Sequence, residues 1–431
     1  MFKIAVIGTG YVGLVTAACL ADLGNQVICV DNDYKKLENL KKNIVPIFEP
    51  GLSELLQKNK LAKRIIFSHN IKEAAAKSEI IFICVGTPAN ADGGADLSAV
   101  EKVACEIAQV IKSYKVIVGK STVPALTGER IKQAISLKTK DKIDFDVVSN
   151  PEFLREGQAI ADTMHPDRIV IGVESRRAEE IMTKLYKPLK SPIVVTNIQT
   201  AEIIKHACNS FLSTKISFIN AIAHICEKLG ADVEKVAQAM GLDKRIAKDF
   251  LNAGLGFGGY CFPKDLDAFI HLAEKHGYNF ELLKSVRKIN NEQKGFFLKK
   301  INEVLWVVKN KNIGVLGLSF KPNTDDIRNS IAVNIIKTLK DAGAKIKAYD
   351  PQSMEKAKIE LKGVKFCKNA YEVAKKSDCL VIMTEWEEFK KIDLAKIKKL
   401  MAQPVIIDGR NIFEPVLMKK LGFVYKCIGR C

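Results

Sequence analysis

The sequence predicts two doubly wound α/β domains joined by a central helical domain that carries one long helix. Three observations predict it. Both ends of the chain alternate short apolar runs with helical stretches, the rhythm of strands and crossover helices in a parallel sheet. The middle of the chain lacks that rhythm. Finally, Gln199 to Leu229 contains neither proline nor glycine, which permits one uninterrupted helix of about 45 Å at about 1.5 Å per residue.

The elements follow in order. Strands are expected at Lys3–Ile7, Gln26–Val30, Arg64–Ser68, Ile80–Val85, Lys115–Gly119 and Phe145–Ser149, nearly continuous apolar runs of the kind buried on both faces of a sheet. Helical patterns lie between them at Val12–Leu23 and at Ser98–Ser113. The second opens on Ser98-Ala99-Val100-Glu101, which reads as a capping box. After the long helix, helical text continues through Asp232–Met240, Asp265–His276 and Glu281–Val308. A second α/β pattern runs through Asn312–Gly317, Lys345–Tyr349, Cys379–Thr384 and Pro404–Asp408. The expected domain limits are 1–198, 199–309 and 310–431.

Composition narrows the class. A chain of 431 residues exceeds one ordinary core, and 47% hydrophobic with 27% charged residues is globular. No run approaches the ~18 apolar residues of a membrane span. Met1 to Gly8 reads as a first buried strand and not as a signal peptide, so a cytoplasmic location is expected. Of the eleven cysteines, most sit in apolar runs, as Cys29, Cys84 and Cys379 do, where a thiol behaves as a small hydrophobe. Cys427 and Cys431 lack a second ligand pair, and no metal is expected. The net charge of +18 raises nucleic-acid binding as a question. The lysines are spread over many helices, however, which suits solvated faces and an anionic small substrate better.

Gly8-Thr9-Gly10-Tyr11-Val12-Gly13 is G-x-G-x-x-G between a strand and a helix. The first glycine makes the turn, the second admits a pyrophosphate, and the third lets helix pack on strand. Such a motif alone also occurs in plain turns. Here the next strand ends in Asp31, about where a carboxylate reads the adenine ribose hydroxyls and repels a 2′-phosphate. NAD is the expected cofactor, in a Rossmann-like domain. Cys84-Val85-Gly86-Thr87-Pro88 and Lys120-Ser121-Thr122-Val123-Pro124 follow two further strands and should line the same crevice.

Leu255 to Asp265, LGFGGYCFPKD, stands apart from the rest of the chain. Ten of the cysteines are expected to be inert buried thiols, and Cys261 is the one in a polar, glycine-rich loop. Nearby Lys264, and a helix N-terminus expected after Pro263, would lower its thiol pKa.

With VIGTGYVGL, this motif resembles the UDP-glucose 6-dehydrogenase family of nucleotide-sugar dehydrogenases. Gly86–Pro88, Ser121–Pro124, NPEFLREG at Asn150–Gly157, EIIKHACNSFLSTKISFIN at Glu202–Asn220 and LSFKPNTDDIRNS at Leu318–Ser330 extend the resemblance along the chain. It implies two Rossmann-like domains and two NAD-dependent oxidations, taking the C6 alcohol of UDP-glucose through the aldehyde to UDP-glucuronate. Cys261 would be the nucleophile, forming a thiohemiacetal and then a thioester. Lys205 would stabilise the oxyanion, with Asn209 one helical turn on orienting it. Glu152 and Asp265 would manage protons, and Thr122 would help hold the hydrolytic water.

The same resemblance assigns the binding residues. Phe153, Leu154 and Arg155 would line the sugar-diphosphate site. Phe250, Leu251, Asn252, Ala253, Gly254 and Gly258 would carry the nucleotide, with Phe320 beside it and Lys321 pairing the diphosphate. Tyr11, Val12, Lys36, Glu156, Lys264 and Arg328 join the cofactor contacts. Arg245 would reach a substrate in a neighbouring subunit, implying a homodimer built on the long helix. FPKD after the cysteine, FLNAG and FKPNTDD favour UDP-glucose, while GDP-mannose or another nucleotide sugar is the alternative with the same chemistry. A basic nucleotide- or nucleic-acid-binding protein without catalysis is the alternative from another class; it leaves Cys261 and Lys205 without work.

Overall fold

The computed structural model describes residues 1–90, 93–139 and 143–430. The chain forms two compact units, Met1–Cys208 with Asp267–Tyr278, and Asn209–Leu266 with Asn279–Cys431.

The first unit is built on an eight-stranded sheet. Its strands are β1 (Lys3–Ile7), β2 (Gln26–Val30), β3 (Ile65–Ser68), β4 (Ile80–Ile83), β5 (Lys115–Gly119), β6 (Phe145–Ser149), β7 (Ile169–Gly172) and β8 (Ile193–Thr196). The order is β3-β2-β1-β4-β5-β6-β7-β8. The first six are parallel in the order of a dinucleotide-binding sheet, whose crevice opens where the order reverses, between β1 and β4. β7 meets β6 antiparallel through the single pair Ser149 and Gly172. Alternation along β1 shows why its run is apolar throughout. Ile4 and Val6 join one core with Leu14, Val15 and Ala18 of helix α1 (Tyr11–Asp22), while Ala5 and Ile7 join a second core on the opposite face.

The second unit holds six parallel strands: β9 (Asn312–Leu316), β10 (Lys345–Tyr349), β11 (Lys365–Phe366), β12 (Cys379–Ile382), β13 (Val405–Asp408) and β14 (Val424–Lys426). Their order, β11-β10-β9-β12-β13-β14, repeats that of the first six strands. Asp350 follows β10 as Asp31 follows β2. It is fully buried and accepts the backbone N–H groups of Leu318, Ser319, Gln352 and Ser353 and the indole of Trp386.

Five more helices matter below. They are α2 (Thr127–Lys138), α3 (Ile198–Leu229), α4 (Val233–Leu242), α5 (Cys261–Lys275) and α6 (Glu281–Leu305). The expected long helix is α3, 32 residues and about 48 Å. Asp232 caps α4 by accepting the Glu234 N–H. α6 stops three residues before the expected Val308, because Trp306 takes a positive φ of 59°.

Three expectations are corrected. The helix expected over 98–113 spans Ser98–Ala108, and Ser98 lies inside it: its N–H is taken by Asp96, so no capping box forms. Helix α5 begins at Cys261 and not after Pro263, which occupies the first turn where its missing N–H costs nothing. Cys105 and Cys208 are half-exposed, unlike the buried cysteines of the strands. No described helix is long and apolar enough to cross a membrane. Among the described residues no His, Cys, Asp and Glu cluster suits a metal; Cys431 lies outside them.

Candidate active site

In the first unit the glycine turn leads directly into α1. Gly8 adopts φ of 99°, and a Cβ there would stand 2.6 Å from the Cys84 carbonyl oxygen. A Cβ on Gly13 would fall 1.9 Å from the Gly8 oxygen, so α1 packs onto β1 only through glycine. Around Gly10, by contrast, a Cβ would meet nothing within 4 Å. No side chain caps α1 and no acid sits in its first turn. An uncapped helix N-terminus facing open space suits a pyrophosphate.

At the end of β2, Asp31 accepts the Thr9 N–H (2.8 Å), the Thr9 hydroxyl (2.6 Å) and the Lys36 ammonium (2.9 Å). Burial alone would raise its carboxyl, but these bonds and the Asp33 N–H bring it down to about 2. A carboxylate held ionised at that point fits the ribose hydroxyls of a dinucleotide, and the whole crevice fits NAD. Gly86, Thr87 and Pro88 follow β4, and the Thr87 hydroxyl donates to the Thr122 carbonyl (2.9 Å), tying that loop to the end of β5. Val12 lies half-buried in the first turn of α1. The Tyr11 hydroxyl bonds Glu49, whose carboxylate also accepts the Gly157 and Ala159 N–H groups.

The carboxylate and ammonium expected to act in this unit meet. Lys205 Nζ lies 3.0 Å from Glu152 Oε1, each side chain 5% exposed. The other Glu152 oxygen accepts the Leu154 N–H at 2.8 Å, and the Phe153 ring lies 5.4 Å from the Lys205 ammonium. Arg155 is drawn to Asp162 at 2.7 Å, and Glu156 is half-buried. Lys120, expected to line the crevice but given no role of its own by the sequence, donates its ammonium to Asn150 Oδ1 at 3.0 Å. Burial lowers it to about 8. Its one signal was a lysine ending an apolar strand.

In the second unit, Asn209 donates to Asp265 Oδ2 at 2.6 Å and Lys264 pairs with Asp265 Oδ1 at 2.7 Å, all buried. Cys261 opens the helix that carries this carboxylate and is half-buried. The glycine run before it is shaped by contact. A Cβ on Gly258 would stand 2.4 Å from the Asn329 oxygen, and one on Gly259 would strike the Phe320 ring at 2.8 Å. The Tyr260 ring carries the Arg328 guanidinium at 4.3 Å, and Arg328 also pairs with Asp326 at 2.6 Å. Phe250 holds φ of 66°, Leu251 and Ala253 are buried, Asn252 is exposed, and the Gly254 N–H is held by Asn220 at 2.8 Å. Lys321 Nζ lies 5.6 Å from the Phe320 ring. Arg245 points outward, 89% exposed, and pairs with Asp243.

The chain matches the UDP-glucose/GDP-mannose dehydrogenase family in three parts: its NAD binding domain over residues 2–190, its central domain over 199–292 and its UDP binding domain over 314–415. It is 48% identical over 431 residues to UDP-glucose 6-dehydrogenase TuaD of Bacillus subtilis (strain 168), covering 100% of this chain and 94% of the relative. A UDP-glucose 6-dehydrogenase of Rhizobium meliloti (strain 1021) is 46% identical, with 99% of each chain covered. The structure of a UDP-glucose dehydrogenase from Pyrobaculum islandicum superposes with a TM-score of 0.94 at 36% identity, covering 100% of this chain and 98% of that one.

Proposed function

The chain belongs to the UDP-glucose/GDP-mannose dehydrogenase family, and from that membership we propose that it oxidises C6 of UDP-glucose twice, to UDP-glucuronate. It is an NAD-dependent dehydrogenase that takes a nucleotide-sugar substrate. The observation that carries the choice of UDP-glucose is the identity of 48% along the whole chain to a UDP-glucose 6-dehydrogenase.

NAD, when bound, accepts a hydride in each of the two oxidations. The chain's own groups do the rest. Lys205 stabilises the negative charge that develops on the C6 oxygen, and Glu152 holds the ammonium and passes the departing proton on. Asn209 orients the same oxygen. The Cys261 thiolate adds to the aldehyde carbon, and its position in the first turn of α5 favours the anion. Covalent capture keeps the aldehyde from escaping until the second oxidation leaves a thioester. Water, held by Thr122 and deprotonated by Asp265, adds to the thioester carbon. The C–S bond breaks, its electron pair returns to sulfur, and the product leaves as carboxylate.

Phe153, Leu154 and Arg155 line the sugar-diphosphate site in this reading, residues 250–254 with Gly258 and Phe320 hold the nucleotide, and Lys321 neutralises the diphosphate. Lys36, Glu156, Lys264 and Arg328 complete the NAD contacts. In this reading the chain divides at 198 and 309 into NAD-binding, central and UDP-sugar-binding domains. A homodimer is supported by Phe211, Phe218 and Ile225, exposed apolar side chains of α3 spaced by seven residues along one stripe. Arg245 would then reach the partner's substrate. We place the enzyme in the cytoplasm, where its thiols stay reduced.

The test is NADH formed per sugar consumed, with excess NAD and limiting UDP-glucose or GDP-mannose. Two NADH per UDP-glucose and little from GDP-mannose is the expected result. One NADH per sugar would overturn the double oxidation, and activity with GDP-mannose alone would overturn the substrate.

A further inference from the structure

We propose that Glu202 is a positioning residue for the hydrolytic half of the reaction, holding from α3 the segment Ser121–Gly128 that carries Thr122. The inference rests on the covalent reading above, in which Thr122 holds the attacking water.

Glu202 Oε2 accepts the Leu126 N–H at 2.7 Å and Oε1 accepts the Gly128 N–H at 2.8 Å. Leu126 stands at the N-terminus of α2 in the left-handed region, φ 73°, and offers no side-chain cap. A non-glycine residue keeps that shape only when its surroundings hold it. The carboxylate that does so comes from another helix, 76 residues along the chain from Leu126. One helical turn further along α3, the His206 Nε2 bonds the Val123 carbonyl at 2.9 Å. With the Thr87 hydroxyl on the Thr122 carbonyl and the Thr127 hydroxyl on the Pro124 carbonyl, the segment is pinned on both sides of Thr122. Gly128 is required there, since a Cβ would fall 2.4 Å from Ile198 of α3. Lys205 lies three residues beyond Glu202 on α3, so the same two turns of helix position an acid-half group and an oxidation-half group.

The carboxylate is 3% exposed and faces a small void lined by Ile83, Val100, Gly119, Ser121, Ile131 and Ser149 among others, none of them titratable. Among titratable groups Glu129 of α2 acts on it, while Lys205 and His206, three and four residues on along its own helix, are engaged with Glu152 and the Val123 carbonyl. Burial, with help from Glu129, pushes it up to about 7 against the lowering effect of the two N–H bonds. Ionised, both oxygens accept; protonated, one becomes a donor facing an N–H donor. The cap therefore weakens as pH falls through about 7, and thioester hydrolysis should fall with it.

The experiment is rapid quench with NAD and UDP-glucose, read by NADH and by the mass of the Cys261 peptide, on wild type, Glu202→Gln, Glu202→Asp and Thr122→Ala. Glu202→Gln keeps the size but loses one acceptor and the titration. We expect it to accumulate the Cys261 thioester after two NADH per site, with steady-state kcat lowered on the order of 10²-fold, the cost of a small misplacement. Its acid limb near pH 7 should vanish, while Glu202→Asp retains that limb and hydrolyses faster than the amide. Thioester in Thr122→Ala but none in Glu202→Gln, or a wild-type pH profile in Glu202→Gln, overturns the inference alone. No thioester in any variant, Thr122→Ala included, overturns the covalent reading beneath it.

Discussion

Lys205 and Glu152 face each other at 3.0 Å with only 5% of either side chain exposed, so solvent screens the pair very little. Removing one partner takes the direct ion pair from the other buried charge. Lys205→Met should lower stability by about 3–5 kcal/mol, whereas Lys205→Met with Glu152→Leu should recover most of it, since a buried pair and an apolar pair of like volume are nearly equivalent. Neither variant should recover turnover. Thermal melts beside steady-state rates check this, and a double variant no more stable than the single one would contradict it.

Cys261→Ser should keep NAD and UDP-glucose affinity and lose acid formation, because a hydroxyl cannot form the thioester. Calorimetric binding and product analysis separate the two effects. Acid formed at the wild-type rate would defeat the covalent route.

The glycine turn predicts opposite outcomes two and five residues after Gly8. Gly13→Ala forces a Cβ onto the Gly8 oxygen at 1.9 Å, so the variant should be strongly destabilised. Gly10→Ala has open space and should melt like wild type. Its NAD affinity should nevertheless fall by tenfold or more, roughly the worth of one lost close approach of about 1.4 kcal/mol. Equal melting losses in both would refute the assignment of separate jobs.

Asp31 should set cofactor preference and be insensitive to pH. Its carboxyl is depressed, so the stability it contributes is complete above the unfolded value of about 3.9 and is lost only as pH falls toward 2. NAD affinity should therefore show no Asp31 titration between about pH 5 and 8. Asp31→Asn should lower the NAD over NADP ratio about tenfold to a hundredfold, the worth of charge-assisted bonds to the ribose and of the lost repulsion. Steady-state kinetics with each cofactor measures it, and an unchanged ratio would refute it.

Much of the fold was legible. β1, β2, β5, β6 and β10 fall on the expected bounds: β1, β2, β5 and β6 are mainly apolar, β-branched runs cut off by polar or turn residues, and β10, KIKAY, alternates buried Ile346 and Ala348 with more exposed residues. β7, β8, β11 and β14 were not foreseen. β11 has two residues and β14 three, too short for any period, and β8 is partly exposed at the sheet edge. The Ser98 capping box failed because Asp96, two residues upstream, competes for the same N–H. In the site, residue types were readable but partners were not. Nothing local to Asn209 announces Asp265, 56 residues away, and nothing near Gly128 announces Glu202. Such bonds join distant segments and leave no periodicity behind.

Asp31 and Asp350 end matching strands of two sheets with the same order, yet their fates differ. Asp31 keeps an edge toward the crevice, 8% of its side chain exposed, while Asp350 spends its oxygens on five backbone and indole donors and shows none. A molecule that repeats one scaffold runs the risk of mistaking one nucleotide for another. Sealing the second carboxylate removes the feature by which, in the proposed reading, the first takes the adenosine ribose, and so keeps the two halves from trading cargo. Discrimination is thus written into which copy of a shared blueprint was left open.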